Sequence, residues 1–184
     1  MVRHLKNCRA SILQRVGLRF AEQVDLGRFQ GILGTDVLLV PAPRSSPAVR
    51  DMNWPALRIC RELEGRQLCG GIACMLERHA AVPKSALVTK GTERPTPEQH
   101  AASMRCTSAQ ATPPTVITIV DDVVTRGSTL LGCAWVLAGR FPEATIRALA
   151  VVRTMSGIET IESILDPVDQ GRIHLRSRLP RRDP

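Results

Sequence analysis

The stretch Thr115 to Leu130, TVITIVDDVVTRGSTL, constrains the chain more than any other. Val116, Ile117, Ile119 and Val120 have high strand propensity, and so continuous an apolar run predicts a strand covered on both faces. Asp121 and Asp122 follow, and Thr125-Arg126-Gly127-Ser128-Thr129 turns the chain into a helical pattern. Gly127 permits a tight turn, and the hydroxyls and free backbone N–H groups around it can cradle a phosphate where the helix begins. The acidic pair sits beside that cradle at the carboxyl end of the strand, where open α/β sheets bind ligands. A phosphate nest next to two carboxylates implies a ligand carrying both a phosphate and hydroxyls or a metal, a description that phosphorylated sugars meet. A Walker A loop needs Gly and Lys where this stretch has neither, so a nucleoside-triphosphatase is a poor fit. An Asp-Asp turn closing an ordinary βα unit is the plainer meaning of the same residues.

A length of 184 residues suits one domain with a real core. The apolar fraction of 43% and charged fraction of 23% are those of a globular protein. No apolar run approaches a membrane span and no secretory pattern opens the sequence, so the expected setting is cytoplasmic, without membrane attachment. Cys8, Cys60, Cys69, Cys74, Cys106 and Cys133 form no compact disulfide framework, and buried reduced thiols are the expectation. Cys69, Cys74 and His79 recur at intervals of five but lack a fourth ligand and a paired spacing, which disfavours zinc. The net charge of +8 is concentrated at the ends. Residues 1–19 hold five basic side chains and no acid, and residues 172–184 hold five arginines against Asp183. Basic ends on a near-neutral body read equally as a polyanion-binding patch or as solvated tails. With no Tyr and only Trp54, Trp135, Phe20, Phe29 and Phe141, the chain offers no stacking platform for single strands.

Along the chain, Arg9 to Phe20 reads as an amphipathic helix with Ile12, Leu13, Val16 and Phe20 on one face. Gly27, Gly31 and Gly34 break it, and Val37 to Val40 is a short buried strand ended by Pro41-Ala42-Pro43. Arg44 to Arg50 reads as a loop, and Asn53-Trp54-Pro55 marks a helix start, with Leu57, Cys60 and Leu63 apolar. Ser85 to Thr89 predicts a strand, and Lys90 to Gln99 an exposed loop. After the central stretch, Leu130 to Arg140 predicts a helix with Leu131, Ala134, Trp135, Leu137 and Ala138 buried. Thr145 to Met155 predicts a strand parallel to the first, then a short helical stretch or loop from Gly157 to Leu165, and a basic tail.

DDVVTRGST with its apolar lead-in resembles the phosphoribosyl-pyrophosphate (PRPP) loop of type I phosphoribosyltransferases. VPAPRSSPAVRDMNWPALRICREL is similar to the strand, pyrophosphate loop and helix of the ComF-like branch, with Asp51 and Met52 standing where that branch usually has Gly and Phe. Gln99, after a Pro-rich interval, matches the same branch. The four-cysteine zinc module that often opens ComF-like chains has no counterpart, since only Cys8 precedes Cys60. The resemblance runs in order from Val37 to Thr154 and leaves both basic ends outside it.

What the resemblance implies is a Rossmann-like type I phosphoribosyltransferase fold in a single domain. Its mostly parallel sheet, flanked by helices, spans about residues 37–155, and residues 1–36 and 156–184 form a small hood and tails. The implied ligand is PRPP with Mg²⁺, and the implied reaction displaces pyrophosphate at the ribose anomeric carbon in favour of an unidentified acceptor. Asp121 and Asp122 would hold the ribose hydroxyls as catalytic residues. Thr125, Arg126, Gly127, Ser128 and Thr129 would hold the 5′-phosphate. Arg44, Arg50, Lys90 and Arg94 are pyrophosphate candidates, because guanidinium and ammonium groups match phosphate oxygens. The alternative is a non-catalytic PRPP- or nucleotide-sensing module whose basic ends bind DNA, RNA or a protein, and a homodimer is open to either.

Overall fold

In the computed structural model, the described residues are 2–47, 53–82, 94–107, 112–154, 170–176 and 179–183. They form α1 (Val2–Lys6), α2 (Ala10–Asp25), β1 (Gly34–Pro41), α3 (Pro55–Glu64), β2 (Cys69–Ile72), β3 (Leu76–Arg78), α4 (Pro97–Ala102), β4 (Met104–Cys106), β5 (Val116–Val124), α5 (Ser128–Arg140), β6 (Thr145–Arg153), β7 (Arg172–Arg176) and β8 (Leu179–Asp183). Four strands make one sheet in the order β2-β1-β5-β6, and all three pairings are parallel. β3 pairs antiparallel with β4, and β7 with β8.

Strand periodicity distributes the apolar side chains between two cores, because successive residues of a strand point to opposite faces. Val37 and Leu39 of β1 and Val120 of β5 join Leu13 and Val16 of α2 and Ile59 and Leu63 of α3 on one face. Val40 of β1 and Ile117 and Ile119 of β5 join Leu130, Cys133 and Leu137 of α5 on the other. Both central strands are thus buried on both sides, as the apolar run predicts. Thr118 is the polar exception within that run, and its Oγ1 donates to the carbonyl of Ile32 at 2.7 Å.

The architecture is therefore α/β, a parallel sheet flanked by helices. β1 leads through α3 to β2 on one side, and β5 leads through α5 to β6 on the other. The direction of winding reverses between the adjacent strands β1 and β5, which makes their carboxyl ends the switch point where such sheets open a crevice.

Several local expectations are corrected. α5 buries Leu130, Gly132, Cys133 and Leu137, whereas Leu131 and Ala134 are half-buried and Trp135 and Ala138 are exposed. The helix is apolar nearly all round, so periodicity cannot choose its face. The interval expected to be loop through Gln99 ends in α4, started by a capping box in which Thr96 accepts from the Gln99 N–H and Gln99 accepts from the Thr96 N–H. The basic tail contains the hairpin β7–β8. Three of the six thiols are buried and Cys74 is exposed, so the expectation of buried thiols holds only in part. The expected strand at Ser85 to Thr89 and the Gly157 to Leu165 segment lie outside the described residues.

Candidate functional site at the β1–β5 switch point

The carboxyl end of β5 is where the two central strands part. Pairing with β1 runs from Leu38↔Ile117 to Pro41↔Val120, followed by one further bond from the Ala42 N–H to the Val120 carbonyl at 2.8 Å. Pairing with β6 continues past that point to Val124↔Arg153. Asp121 and Asp122 thus lie within the strand, where the sequence suggests its end, and they sit just beyond the last β1 pairing. Both are half-buried.

Two carboxylates side by side in this position repel one another. The Asp122 N–H donates to Asp121 Oδ1 at 2.8 Å. Desolvation and then the Asp122 charge push the Asp121 carboxyl well above the ordinary carboxylate range, while Lys6 pulls in the opposite direction. The cationic N-terminal segment is therefore near the acidic pair. α1 is held there by the fully buried Leu5 and by Asn53, whose Nδ2 donates to the Lys6 carbonyl at 2.6 Å.

Past the acids, Thr125 and Arg126 are exposed. Gly127 caps α5 with φ 86°, a left-handed backbone that L side chains rarely adopt. No side chain caps the helix there, so N–H groups of its first turn lack an intrahelical partner, the arrangement that favours an anion. A Cβ on Gly127 would lie 2.8 Å from Ile173 of β7, so the C-terminal hairpin packs directly on this turn. Ser128 and Thr129 form the first turn and are half-buried.

The loop leaving β1 is pinned from three sides. Trp54 Nε1 donates to the Ala42 carbonyl at 2.8 Å, Arg78 Nε donates to the Arg44 carbonyl, and the Val82 N–H donates to the Ser45 carbonyl at 2.8 Å. Arg44 is half-buried within it. The structure thus places Asp121 and Asp122 near the end of β5 and the 125–129 turn directly after it at the start of α5, with Arg44 on the loop leaving the adjacent strand. Arg94 is exposed just ahead of the α4 cap. Arg50 and Lys90 lie outside the described residues. Gln99, singled out by resemblance, serves the α4 capping box.

Four nearby residues escape sequence reasoning: Lys6, Arg78, His100 and Ile173. Arg78 stands in no motif of the sequence, yet it is 3% exposed. The one usable signal was Thr96-Pro-Glu-Gln99, a capping-box spacing that announces α4 and places His100 in it. Among the described residues no group of three or more His, Cys, Asp or Glu is arranged to hold a metal ion. The acidic pair by itself fits a cation that brings most of its own oxygen ligands, and a cation there would favour the ionised Asp121 that burial and Asp122 disfavour. No helix among the described residues is long and apolar enough to cross a membrane. No protein-family model and no curated protein sequence matches the chain.

Proposed function

We propose that the chain binds PRPP with Mg²⁺ at the β1–β5 switch point and transfers its phosphoribosyl group to an acceptor, in a type I phosphoribosyltransferase fold of the ComF-like kind. One observation carries the reading. An acidic pair late in β5 and the left-handed Gly127 turn that opens α5 follow one another, beyond the point where β1 separates from β5. In this reading ionised Asp121 and Asp122 accept hydrogen bonds from the ribose hydroxyls, and the 125–129 turn holds the 5′-phosphate through N–H and hydroxyl donors. Arg44, with Arg50, Lys90 and Arg94, is assigned to the diphosphate. Bound Mg²⁺ would neutralise the leaving diphosphate, and the acidic pair is the group able to share it. The bond from anomeric carbon to diphosphate oxygen breaks, the acceptor's lone pair forms the new bond, and pyrophosphate leaves. The carboxylates favour the positive charge that develops on the ribosyl ring, and the rest of catalysis is positioning.

Calorimetry with PRPP and Mg²⁺ tests this on the wild type and on the Asp121→Asn/Asp122→Asn variant. Binding by the wild type and a loss of at least about tenfold in the variant are expected, since two charge-assisted acceptors are removed. Equal heats from both proteins would sink the reading. Pyrophosphate release measured with a panel of purine and pyrimidine bases then separates a transferase from a sensor.

A further inference from the structure

Arg78 is a buried cation whose partners among the described residues are uncharged. Its Nε donates to the Arg44 carbonyl and its Nη1 to Ser103 Oγ, while Nη2 faces His100 Nδ1 at 3.5 Å. Burial lowers its pKa, as expected of a guanidinium taken out of water. The other face of His100 meets the candidate site: its Nε2 lies 3.5 Å from Thr129 Oγ1. His100 is 4% exposed, and burial together with the Arg78 charge pushes its pKa down to about 4, so the ring is neutral near pH 7.

The direction of these contacts follows from the donor inventory. A guanidinium has only donors, so the ring nitrogen facing it must offer a lone pair. A neutral imidazole has one N–H, which leaves that hydrogen on Nε2. Nε2 therefore donates, and Thr129 Oγ1 accepts. A hydroxyl that accepts from the ring keeps its own hydrogen for another partner. Thr129 stands two residues after the left-handed Gly127, in the first turn of α5. The opposite tautomer would set an imidazole N–H against a guanidinium N–H in a buried site.

The packing that allows this is specific. Gly132, one helical turn beyond Thr129, lets α4 approach closely, because a Cβ there would lie 2.7 Å from His100 Cβ and 2.8 Å from the Pro97 carbonyl oxygen. The Ser103 hydroxyl accepts from Arg78 and donates to the His100 carbonyl at 2.7 Å, so every member of the chain is used in one direction.

We propose that Arg78 and His100 form a directed hydrogen-bond relay that fixes the Thr129 hydroxyl as a donor to a phosphate held in the 125–129 turn. His100 and Arg78 are positioning residues, and they act through Thr129. The inference rests on the reading of that turn as a phosphate site, and it adds a coupling: the same guanidinium holds the Arg44 loop that leaves the neighbouring strand β1.

The test has a structural arm and a binding arm. Imidazole ¹⁵N resonances, with His100 assigned by comparison with His100→Gln, should show the neutral Nε2–H tautomer at about pH 7. The Nδ1–H tautomer overturns the relay. In the binding arm the probe is ribose 5-phosphate. Thr129→Val should weaken binding about tenfold, His100→Leu by no more than that, and the double variant should be no weaker than Thr129→Val alone, because His100 acts only through the Thr129 hydroxyl. His100→Gln should stay within about threefold of wild type, since its amide oxygen can accept from Arg78 and its amide nitrogen can donate to Thr129. Additive losses, or a His100→Gln loss equal to that of His100→Leu, overturn the relay. Wild type that binds no ribose 5-phosphate overturns the relay and the phosphate turn together. Should ribose 5-phosphate bind while the Asp121→Asn/Asp122→Asn variant keeps its PRPP affinity, the PRPP reading fails and the phosphate turn stands, and the double-variant comparison still decides the relay.

Discussion

Asp121 stores electrostatic cost in the unliganded protein. Its folded-state pKa lies above its unfolded value, so across that window the folded chain binds a proton that the unfolded chain has lost. Stability from this group is complete below the ordinary carboxylate range and is lost as the pH rises toward the raised value. His100 has the opposite sign: its pKa falls from 6.5 to about 4, so its contribution is present above the unfolded value and is lost as the pH falls through that window. The two oppose each other in acid, and only the Asp121 effect persists on the alkaline side. Thermal unfolding of wild type and Asp121→Asn should therefore diverge as the pH rises from about 5 to about 8, the variant becoming the more stable. Parallel curves would show that Asp121 titrates normally. At this scale the sequence reveals the residues that are contiguous. Asp121, Asp122 and Gly127 stand in one run and carry their chemistry with them. Arg78 and His100 acquire meaning only when β3 and α4 meet α5 at Thr129, and no spacing in the sequence announces that meeting.

Two glycines show what close approach requires of the elements. Gly127→Ala must hold an L side chain at φ 86° and also displace Ile173. The expected cost is about 1–2 kcal/mol of stability, read by chemical denaturation, together with weaker ribose 5-phosphate binding. Gly132→Ala leaves α5 intact and even favours helix, yet its Cβ pushes on α4 at His100 and Pro97. A variant as stable as wild type with unchanged His100 ¹⁵N resonances would mean that the α4–α5 contact is looser than described. The unit β5–α5–β6 was legible because its strand, turn and helix signals are strong and in order. The buried face of α5 was not, because Leu130, Leu131, Cys133, Ala134, Trp135, Val136 and Leu137 leave hardly any polar residue to mark the outside. β7–β8 escaped for the reverse reason, its arginines hiding the alternation of a strand.

For the whole molecule, two apolar cores meet across one sheet, and the central strands belong to both. Leu39 faces the α2–α3 side and Ile119 the α5 side, and each is fully buried. Leu39→Ala and Ile119→Ala should each cost about 2–5 kcal/mol. Far-ultraviolet circular dichroism and tryptophan fluorescence should report the same midpoint, because a sheet shared by both cores unfolds as one. Separate transitions would show that the two faces are independent.

The pairing of β1 with β5 also sets the order in which the site can be made. β1–α3–β2 and β5–α5–β6 each close over short stretches of chain, whereas β1 meets β5 only after α3, β2, β3, α4 and β4 have intervened. Closing that long loop costs entropy before any contact repays it, so the two halves can form early while their junction forms late. The switch point exists only once that junction has formed. A nascent chain therefore has no β1–β5 junction until its second half is made, and whatever needs both strand ends can select only the folded protein.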